Sequence, residues 1–190
     1  SLTHTQKLIT QHPLEARFHF LEGKIHDELH LKTRAIKSYE NAKMNGMDGH
    51  DISTALAYSL YEGKQYGKCI PHFNWLIQHG NTRNVEMYMK RGYAYLRDGE
   101  PNDALKDFNK ACMFDKSNSQ AYLYRSMAYR DLGKMKPALA DMNKSVDLDP
   151  KNSEAFLVRG AYYVSQKKYD QGLEDLNSAC FLYFSASKIS

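Results

Sequence analysis

This sequence of 190 residues has few cysteines, no long apolar run and no large excess of positive over negative side chains. The three cysteines, Cys69, Cys112 and Cys180, are far apart and odd in number, without a C-x-x-C pair. This usage argues against a disulfide framework and against a cysteine zinc site. It is typical of a reducing compartment, so we expect a cytoplasmic location.

Membrane and nucleic-acid functions find little support in the composition. No apolar stretch approaches the roughly 20 residues that span a bilayer, and the opening SLTHTQKLIT lacks the apolar block of a signal peptide. The net charge of +4 is spread along the chain without a basic run. We therefore expect no membrane insertion and no nucleic-acid partner.

The segment HDELH, His26 to His30, comes nearest to a catalytic motif. Zinc proteases place a glutamate directly after the first of two histidines that are four residues apart on a helix. Asp27 holds that place here, and Glu28 is rotated from it by roughly 100° on a helix. We expect a packed His26, an exposed His30 and no bound metal.

Other catalytic patterns are missing from the sequence as well. It has no phosphate-binding glycine loop, no G-x-S-x-G nucleophile elbow and no repeated cysteine-histidine pairing. The sequence therefore predicts no catalytic residue, no cofactor and no enzyme activity.

A period of 34 residues organises the chain. The segments RGYAYLRDGEPNDALKDFNKA, RSMAYRDLGKMKPALADMNKS and RGAYYVSQKKYDQGLEDLNSA begin at Arg91, Arg125 and Arg159. This period is that of a helix-turn-helix unit with two helices of roughly 14 residues. Gly99 and Gly133 stand where the first helix of a unit should end. The pattern predicts an all-α solenoid in which each unit covers the apolar face of its neighbour.

The repeat resembles the tetratricopeptide repeat (TPR) family, which places aromatic residues, glycine, alanine and proline at fixed positions. Position 4 holds Tyr88, Tyr122 and Phe156; position 8 holds Gly23, Gly92 and Gly160; position 11 holds Tyr95, Tyr129 and Tyr163; position 20 holds Ala35, Ala104 and Ala138; position 32 holds Pro150. The first two units depart from the pattern, with His19 and Ser53 at position 4. The resemblance implies a right-handed α-solenoid of about five stacked units.

The predicted units cover residues 16–49, 50–84, 85–118, 119–152 and 153–186. Residues 1–15 are predicted to be the second helix of a preceding partial repeat, because Pro13 stands in register with Pro150. No polar capping helix closes the last unit. We expect one solenoid domain that is part of a longer protein or that self-associates through an exposed end.

Two polar patterns run through the repeats. Arg91, Arg125 and Arg159 stand at position 7 of the last three units, and Asp107, Asp141 and Asp175 stand at position 23. The two positions lie equally far from the turn, so we predict an Arg–Asp bridge between the helices of each unit. The alternative is that the arginines face a groove and bind acidic groups of a ligand. Asparagine at position 25 is predicted to bond to the neighbouring unit, and it occurs as Asn74, Asn109, Asn143 and Asn177.

In the family, the first helices of successive units line a concave groove, so the resemblance implies that a protein or peptide partner binds there. In the last three units this strip is apolar and rich in methionine, which suits an amphipathic helix or an extended peptide. The candidate groove residues are Met89, Tyr93, Leu96, Leu123, Met127, Arg130, Leu157 and Val164. The first two units give a more polar strip, which includes Lys24, Asp27, Asp51, Tyr58 and Glu62.

The predicted function is a scaffold or adaptor that binds a peptide or helix of a partner in this groove. A subset of the family grips the acidic carboxyl-terminal tail of chaperones with lysine at position 5 and asparagine at position 9. No unit here has both residues, so that tail is disfavoured as a partner. Two alternatives stay open: an architectural segment of a larger assembly or oligomer, and a regulatory region of an enzyme encoded elsewhere in the parent chain.

Overall fold

A computed structural model describes residues 13–80 and 83–186, and within these ranges all regular structure is helical. The helices are α1 (Pro13–Glu28), α2 (Lys32–Met44), α3 (His50–Glu62), α4 (Tyr66–His79), α5 (Val85–Arg97), α6 (Pro101–Phe114), α7 (Ser119–Asp131), α8 (Met135–Leu148), α9 (Ser153–Ser165) and α10 (Tyr169–Ala186). The predicted all-α solenoid of helical repeats is confirmed.

The chain divides into two compact units, Ser1–Asp98 and Gly99–Ser190. In the first unit, α1 packs against α2, α3 packs against α4, and α5 packs against α4. Its core is built from large apolar side chains with almost no exposure: Tyr39, Ile52, Leu56, Leu60, Phe73 and Leu76. Residues 1–12 of the predicted leading helix lie outside the described ranges, and that assignment stays a prediction.

In the second unit, α7 pairs with α8 and α9 pairs with α10, while α6 packs against α7 and α8 packs against α9. Phe108, Leu123 and Met142 are fully buried, as are the small residues Ala104, Ala121, Ala138 and Ala155. Gly160 and Gly172 face each other between α9 and α10, where a Cβ on Gly160 would lie 3.1 Å from the Gly172 carbonyl oxygen. The small residues therefore set the short distance between paired helices.

The same backbone conformation recurs at the turn that follows α1, α3, α5, α7 and α9. His30, Lys64, Gly99, Gly133 and Lys167 all have φ between 57° and 87°. Glycine adopts this left-handed conformation without a steric cost, whereas histidine and lysine do not. The expectation that Gly99 and Gly133 follow the end of a first helix is confirmed, and at three further turns the residue with positive φ is not glycine.

An asparagine cap recurs at the start of three of the first helices. Asn84, Asn118 and Asn152 each precede a first helix, and each side-chain oxygen accepts a hydrogen bond from the backbone N–H three residues later. Such caps satisfy one of the free N–H groups at a helix start. Pro101 opens α6, where its missing N–H costs little. Local caps and turns therefore help to fix where the side chains of α5, α7 and α9 lie.

Candidate functional site

Two of the three predicted Arg–Asp bridges lie within the second unit, and both are confirmed. Arg125 donates from Nε and Nη2 to the two carboxylate oxygens of Asp141, at 2.7 and 2.8 Å. Arg159 makes the same bidentate interaction with Asp175, from Nε and Nη2 to the two carboxylate oxygens at 2.8 and 2.7 Å. The third predicted pair, Arg91 with Asp107, stays a prediction.

Burial and aromatic neighbours favour a structural role for these arginines. The side chains of Asp141 and Asp175 are only 10% and 6% exposed. The Arg125 guanidinium also lies over the Tyr122 ring, with 5.1 Å between Cζ and the ring centroid. Hydrogen bonding to Asp141 raises the pKa of Arg125 above its ordinary value. A carboxylate of a ligand would therefore have to displace the internal partner.

The repeated asparagines connect each helix pair to the next, as predicted. Arg91 donates from Nη1 to Asn74 Oδ1 at 2.8 Å, and Arg159 donates to Asn143 Oδ1 at 3.1 Å. Arg125 donates to Asn109 Oδ1, also at 3.1 Å. Each arginine thus reaches the second helix of the preceding repeat. The sequence indicated the two patterns separately but not that one guanidinium serves both.

The HDELH segment lies at the end of α1 and in the following turn. His26 is half-buried, with Nδ1 3.3 Å from Ser38 Oγ, and His30 is exposed in the left-handed turn. The expected placement of these two histidines is confirmed. Within the described ranges, no three His, Cys, Asp or Glu side chains lie close enough to hold a metal ion.

Asp27 has a structural role that the sequence did not reveal. Its carboxylate accepts hydrogen bonds from Tyr39 at 2.9 Å, from Ser59 at 2.7 Å and from Lys32 at 3.1 Å. Lys32 also pairs with Glu62. Burial, with the hydrogen bond to Asp27 adding to it, raises the pKa of Tyr39 above its ordinary range. Asp27 therefore joins α1, α2 and α3, and only tertiary contacts bring these partners together.

The first unit presents an aromatic cluster, formed by Tyr58, Tyr61, Tyr66 and Tyr93. Tyr93 lies edge-on to Tyr61 and Tyr66, with ring centroids 6.0 and 5.9 Å away. The Lys90 ammonium lies over Tyr58 and Tyr61, at 5.1 and 4.8 Å from their centroids. Burial and the nearby Glu86 carboxylate raise the pKa of Tyr58 to about 12. The candidate groove residues Met89, Tyr93 and Leu96 are half-buried on α5, and Tyr93 belongs to this cluster.

In the second unit, four of the candidate groove residues keep exposed surface. Met127 is half-buried on α7, and Arg130 is exposed one turn further along that helix. On α9, Leu157 is 52% exposed and Val164 is 39% exposed. These side chains give the first helices of this unit an apolar surface with a cation at its margin.

Leu123 differs from the other candidate groove residues. Its side chain is fully buried and clusters with Val146 and Ala155. Ala155 belongs to the next repeat, which therefore covers Leu123 and removes it from any surface that a partner could reach. A helical pattern shows which face of α7 is apolar but does not show which part of that face the following repeat covers.

No helix in the described part of the chain combines the length and the apolar character needed to cross a membrane.

Comparison with known proteins identifies the repeat. The family model described as tetratricopeptide repeat matches residues 85–118 and 119–152, which have the bounds of the predicted third and fourth units. No curated protein matches the chain in sequence.

Solved structures of repeat proteins superpose on most of the chain. MamA from Desulfovibrio magneticus RS-1 does so with a TM-score of 0.76 at 14% identity, over 90% of this chain and 97% of that one. TTC0263, described as a thermophilic TPR protein in Thermus thermophilus, gives 0.64 at 18% identity over 86% and 89%. YrrB, described as a TPR protein with an unusual peptide-binding site, gives 0.66 at 18% identity over 96% and 97%. At these identities the likeness shows the fold.

Proposed function

We propose that this chain, in which residues 85–118 and 119–152 match the tetratricopeptide repeat model, is a protein-interaction scaffold whose first helices bind a peptide or helix of a partner protein. Stacked helix pairs hold widely spaced side chains in fixed positions before the partner arrives. A preorganised surface loses little conformational entropy on binding, which favours affinity.

The apolar side chains that keep accessible surface on α7 and α9 carry this proposal. Met127 and Val164 stand on first helices and use only part of their surface for packing within the unit. Arg130 at the margin can pair with an acidic group that flanks apolar anchors. This combination suits an amphipathic helix or an extended segment with alternating apolar residues. YrrB, a TPR protein with a peptide-binding site, supports the same use of this chain.

In the first unit, the aromatic cluster gives α3 and α5 a proposed binding surface of their own. Tyr58 and Tyr93 offer flat, amphipathic surface, and Lys90 adds a cation beside it. We assign to this surface the recognition of polar or aromatic residues of a partner segment. Met89 and Leu96 add apolar contacts on α5.

We also propose that the chain acts by binding alone, without catalysis, and in the cytoplasm. The arginines, the obvious candidates for binding a reacting anion, are held by Asp141 and Asp175. The buried thiols of Cys69 and Cys112 have pKa values raised by burial, which makes them poor nucleophiles.

The test is capture of partners from a cell lysate with three forms of the chain: native, Met127→Asp with Val164→Asp, and Met113→Asp with Met135→Asp. Met113 and Met135 are exposed apolar residues on second helices, so the last form controls for two added charges outside the first helices. Circular dichroism and thermal unfolding first establish that all three forms fold.

We expect at least one partner to be held by the native and control forms and lost by the first-helix variant. A purified segment of that partner should then bind the native chain directly and bind the variant at least about tenfold more weakly. If the first-helix variant captures the same proteins as the native chain, the proposed binding surface is wrong.

An architectural role in a larger assembly is the second candidate function, and one observation favours it. Helix α10 exposes Phe181, Tyr183 and Phe184 at 73%, 66% and 63%. A group of exposed aromatic side chains close together on one helix is typical of an interface. This surface lies on a second helix at the end of the second unit, so it is separate from the first-helix surface proposed above.

A further inference from the structure

A cleft lies between α2 and α4, the second helices of two neighbouring repeats in the first unit. Both helices pack against α3, whose side chains Leu56 and Leu60 form the floor with exposures of only 1% and 2%. The cleft has a volume of about 950 Å³. We call it the α2–α4 cleft and define it by residues of the three helices: Lys37, Lys43, Leu56, Leu60, Lys68 and Pro71.

The α2–α4 cleft and the aromatic cluster lie on opposite faces of α3. Leu56 and Leu60 are four residues apart and share one face of this helix. Tyr58 stands two residues from each of them and is rotated from both by about 200°. A segment bound in the cleft would therefore leave the surface proposed for α3 and α5 accessible.

The rim of the cleft combines apolar and cationic side chains. Met44 on α2 is 78% exposed, and Pro71 is exposed on α4. The three lysines are exposed as well, with Lys37 and Lys43 on α2 and Lys68 on α4. In the described part of the chain, none of their ammonium groups pairs with a carboxylate. Cations without an internal counter-ion thus flank an apolar floor from both sides.

Two further groups of the cleft can form hydrogen bonds with a peptide. Pro71 stands inside α4 and has no N–H for the Gly67 carbonyl, which therefore lacks the hydrogen bond that a regular helix gives. Burial and the nearby Lys43 ammonium lower the pKa of His72, so this half-buried ring is neutral at neutral pH. A neutral imidazole can both donate and accept a hydrogen bond.

Glu40, on the same rim, argues against a nucleic acid as the occupant. A phosphate backbone carries negative charge evenly along its length, so part of it would lie beside this carboxylate. It would also make no use of the apolar floor. A protein segment can instead place its acidic residues at the lysines and a neutral residue beside Glu40.

We propose that the α2–α4 cleft is a second binding site, which takes a segment of a partner protein with a bulky apolar side chain between aspartates or glutamates. The apolar side chain would lie over Leu56 and Leu60. The acidic residues would pair with Lys37 and Lys43 on one side and with Lys68 on the other.

The probe is a fluorescein-labelled peptide with a central Phe-Leu pair between runs of aspartate and glutamate. Its binding to the whole chain is measured by fluorescence anisotropy at an ionic strength of about 0.15 M. We expect the cleft variant, Lys43→Glu with Lys68→Glu, to bind at least about tenfold more weakly than the native chain. The matched control, Lys110→Glu with Lys144→Glu, reverses two exposed lysines on the second helices α6 and α8 and should bind as the native chain does.

Changes in the peptide test the two parts of the proposed recognition. Replacing Phe-Leu by Ser-Ser should weaken binding to the native chain at least about tenfold, because no large apolar side chain then leaves water. Replacing the acidic residues by lysine should invert the preference, so that this peptide binds the cleft variant more tightly than the native chain. Circular dichroism and thermal unfolding first establish that every variant folds.

Lys90→Glu separates this proposal from the first-helix surface, because it reverses the cation beside the aromatic cluster. We expect this variant to bind the acidic peptide as the native chain does. Binding that is lost in Lys90→Glu but kept in the cleft variant would place the acidic segment on the first helices. That result would overturn the cleft and leave the proposed function standing.

Three further results would overturn the proposal. One is a native chain that does not bind the acidic peptide, or binds it no more tightly than the cleft variant does. Another is an oligo-dT strand that binds the native chain more tightly than the peptide and loses affinity in the cleft variant. The third is self-association of the native chain in sedimentation experiments that the cleft variant abolishes, since a second copy would then occupy the cleft.

Discussion

Arg125 donates in two directions along the repeat, to Asp141 of its own helix pair and to Asn109 of the preceding helix. The same arrangement recurs at Arg159 with Asp175 and Asn143. A lysine could not reproduce it, because only a guanidinium offers several donors in a fixed plane. At the scale of single residues, these arginines hold the second unit in register both within and between repeats.

Replacing Asp141 by alanine should lower the free energy of unfolding by roughly 3 kcal/mol, because it leaves a largely buried guanidinium without its carboxylate. The matched control is Asp131→Ala, which breaks the exposed Arg130–Asp131 pair and should cost less than about 1 kcal/mol. Urea unfolding of both variants measures the difference. Equal stability of the two variants would mean that Arg125 does not depend on Asp141 and is available to a ligand.

The three thiols differ in their accessibility to reagents. Cys180 is exposed, whereas Cys69 and Cys112 are buried, and burial raises the pKa of their thiols to about 12 and about 11. Only a thiolate reacts rapidly with maleimides, so one thiol of three should be labelled in the folded chain and all three in urea. Mass spectrometry of the labelled chain reports the site. Rapid labelling of Cys69 or Cys112 in the folded chain would contradict the described packing.

At the scale of helices and turns, the backbone conformation recurs from one repeat to the next, as the side chains do. The turn residue after each first helix has a positive φ whether it is glycine, lysine or histidine. Lys167 adopts φ of 59° where Gly133 adopts 71° in the preceding repeat. The turn geometry is therefore imposed by the helix pair, and the non-glycine residues occupy it at a steric cost.

Lys167→Gly should therefore raise the free energy of unfolding by about 0.5 to 1 kcal/mol, and Gly133→Lys should lower it by a similar amount. Lys168→Gly, one residue further along, serves as the control, because it adds the flexibility of glycine without relieving a positive φ. Thermal and urea unfolding measure all three variants. A loss of stability in Lys167→Gly as large as that in Lys168→Gly would show that the turn at 167 carries no strain.

At the scale of the whole molecule, the buried ionisable groups make stability depend on alkaline pH. Burial raises the pKa of Tyr58, Cys69 and Cys112 in the folded chain. The unfolded chain then loses these protons first as the pH rises, and the folded state is penalised. The contribution of the thiols is complete below pH 9, their ordinary pKa, and is lost as the pH rises through about 11 and 12.

We expect the urea midpoint to fall as the pH is raised from 9 to 11. The double variant Cys69→Ala with Cys112→Ala should be less stable at pH 8, because two buried side chains are shortened, but its stability should fall less steeply with pH. An unchanged pH dependence in the double variant would show that the buried thiols do not titrate as described.

Much of this architecture could be predicted from the sequence, because the same residue types recur at the same positions of successive repeats. Gly133 at a turn, Ala138 at a close approach and the Arg125–Asp141 pair are local to one helix pair, so their spacing alone predicts their positions. The asparagine bonds were also predictable, since they recur at one position.

The rest depended on contacts between repeats. Leu123 stands on a face that the family uses for binding, yet Ala155 of the next repeat covers it, and nothing in α7 itself signals that burial. Asp27 looked like part of a polar surface strip, but Tyr39 and Ser59 come to it from two other helices. The first two repeats lack the Arg–Asp pair. No sequence pattern predicted the hydrogen bonds of Asp27 that join α1, α2 and α3 in its place.

If the first helices bind a protein segment as proposed, hydrogen–deuterium exchange of the chain with and without a captured partner segment should reveal it. We predict slower exchange on partner binding at the exposed amides of α7 and α9, or at those of α5 where the segment binds the first unit, with little change in α6 and α8. Protection confined to α6, α8 and α10 would contradict the proposed function and would move the binding site to the second helices.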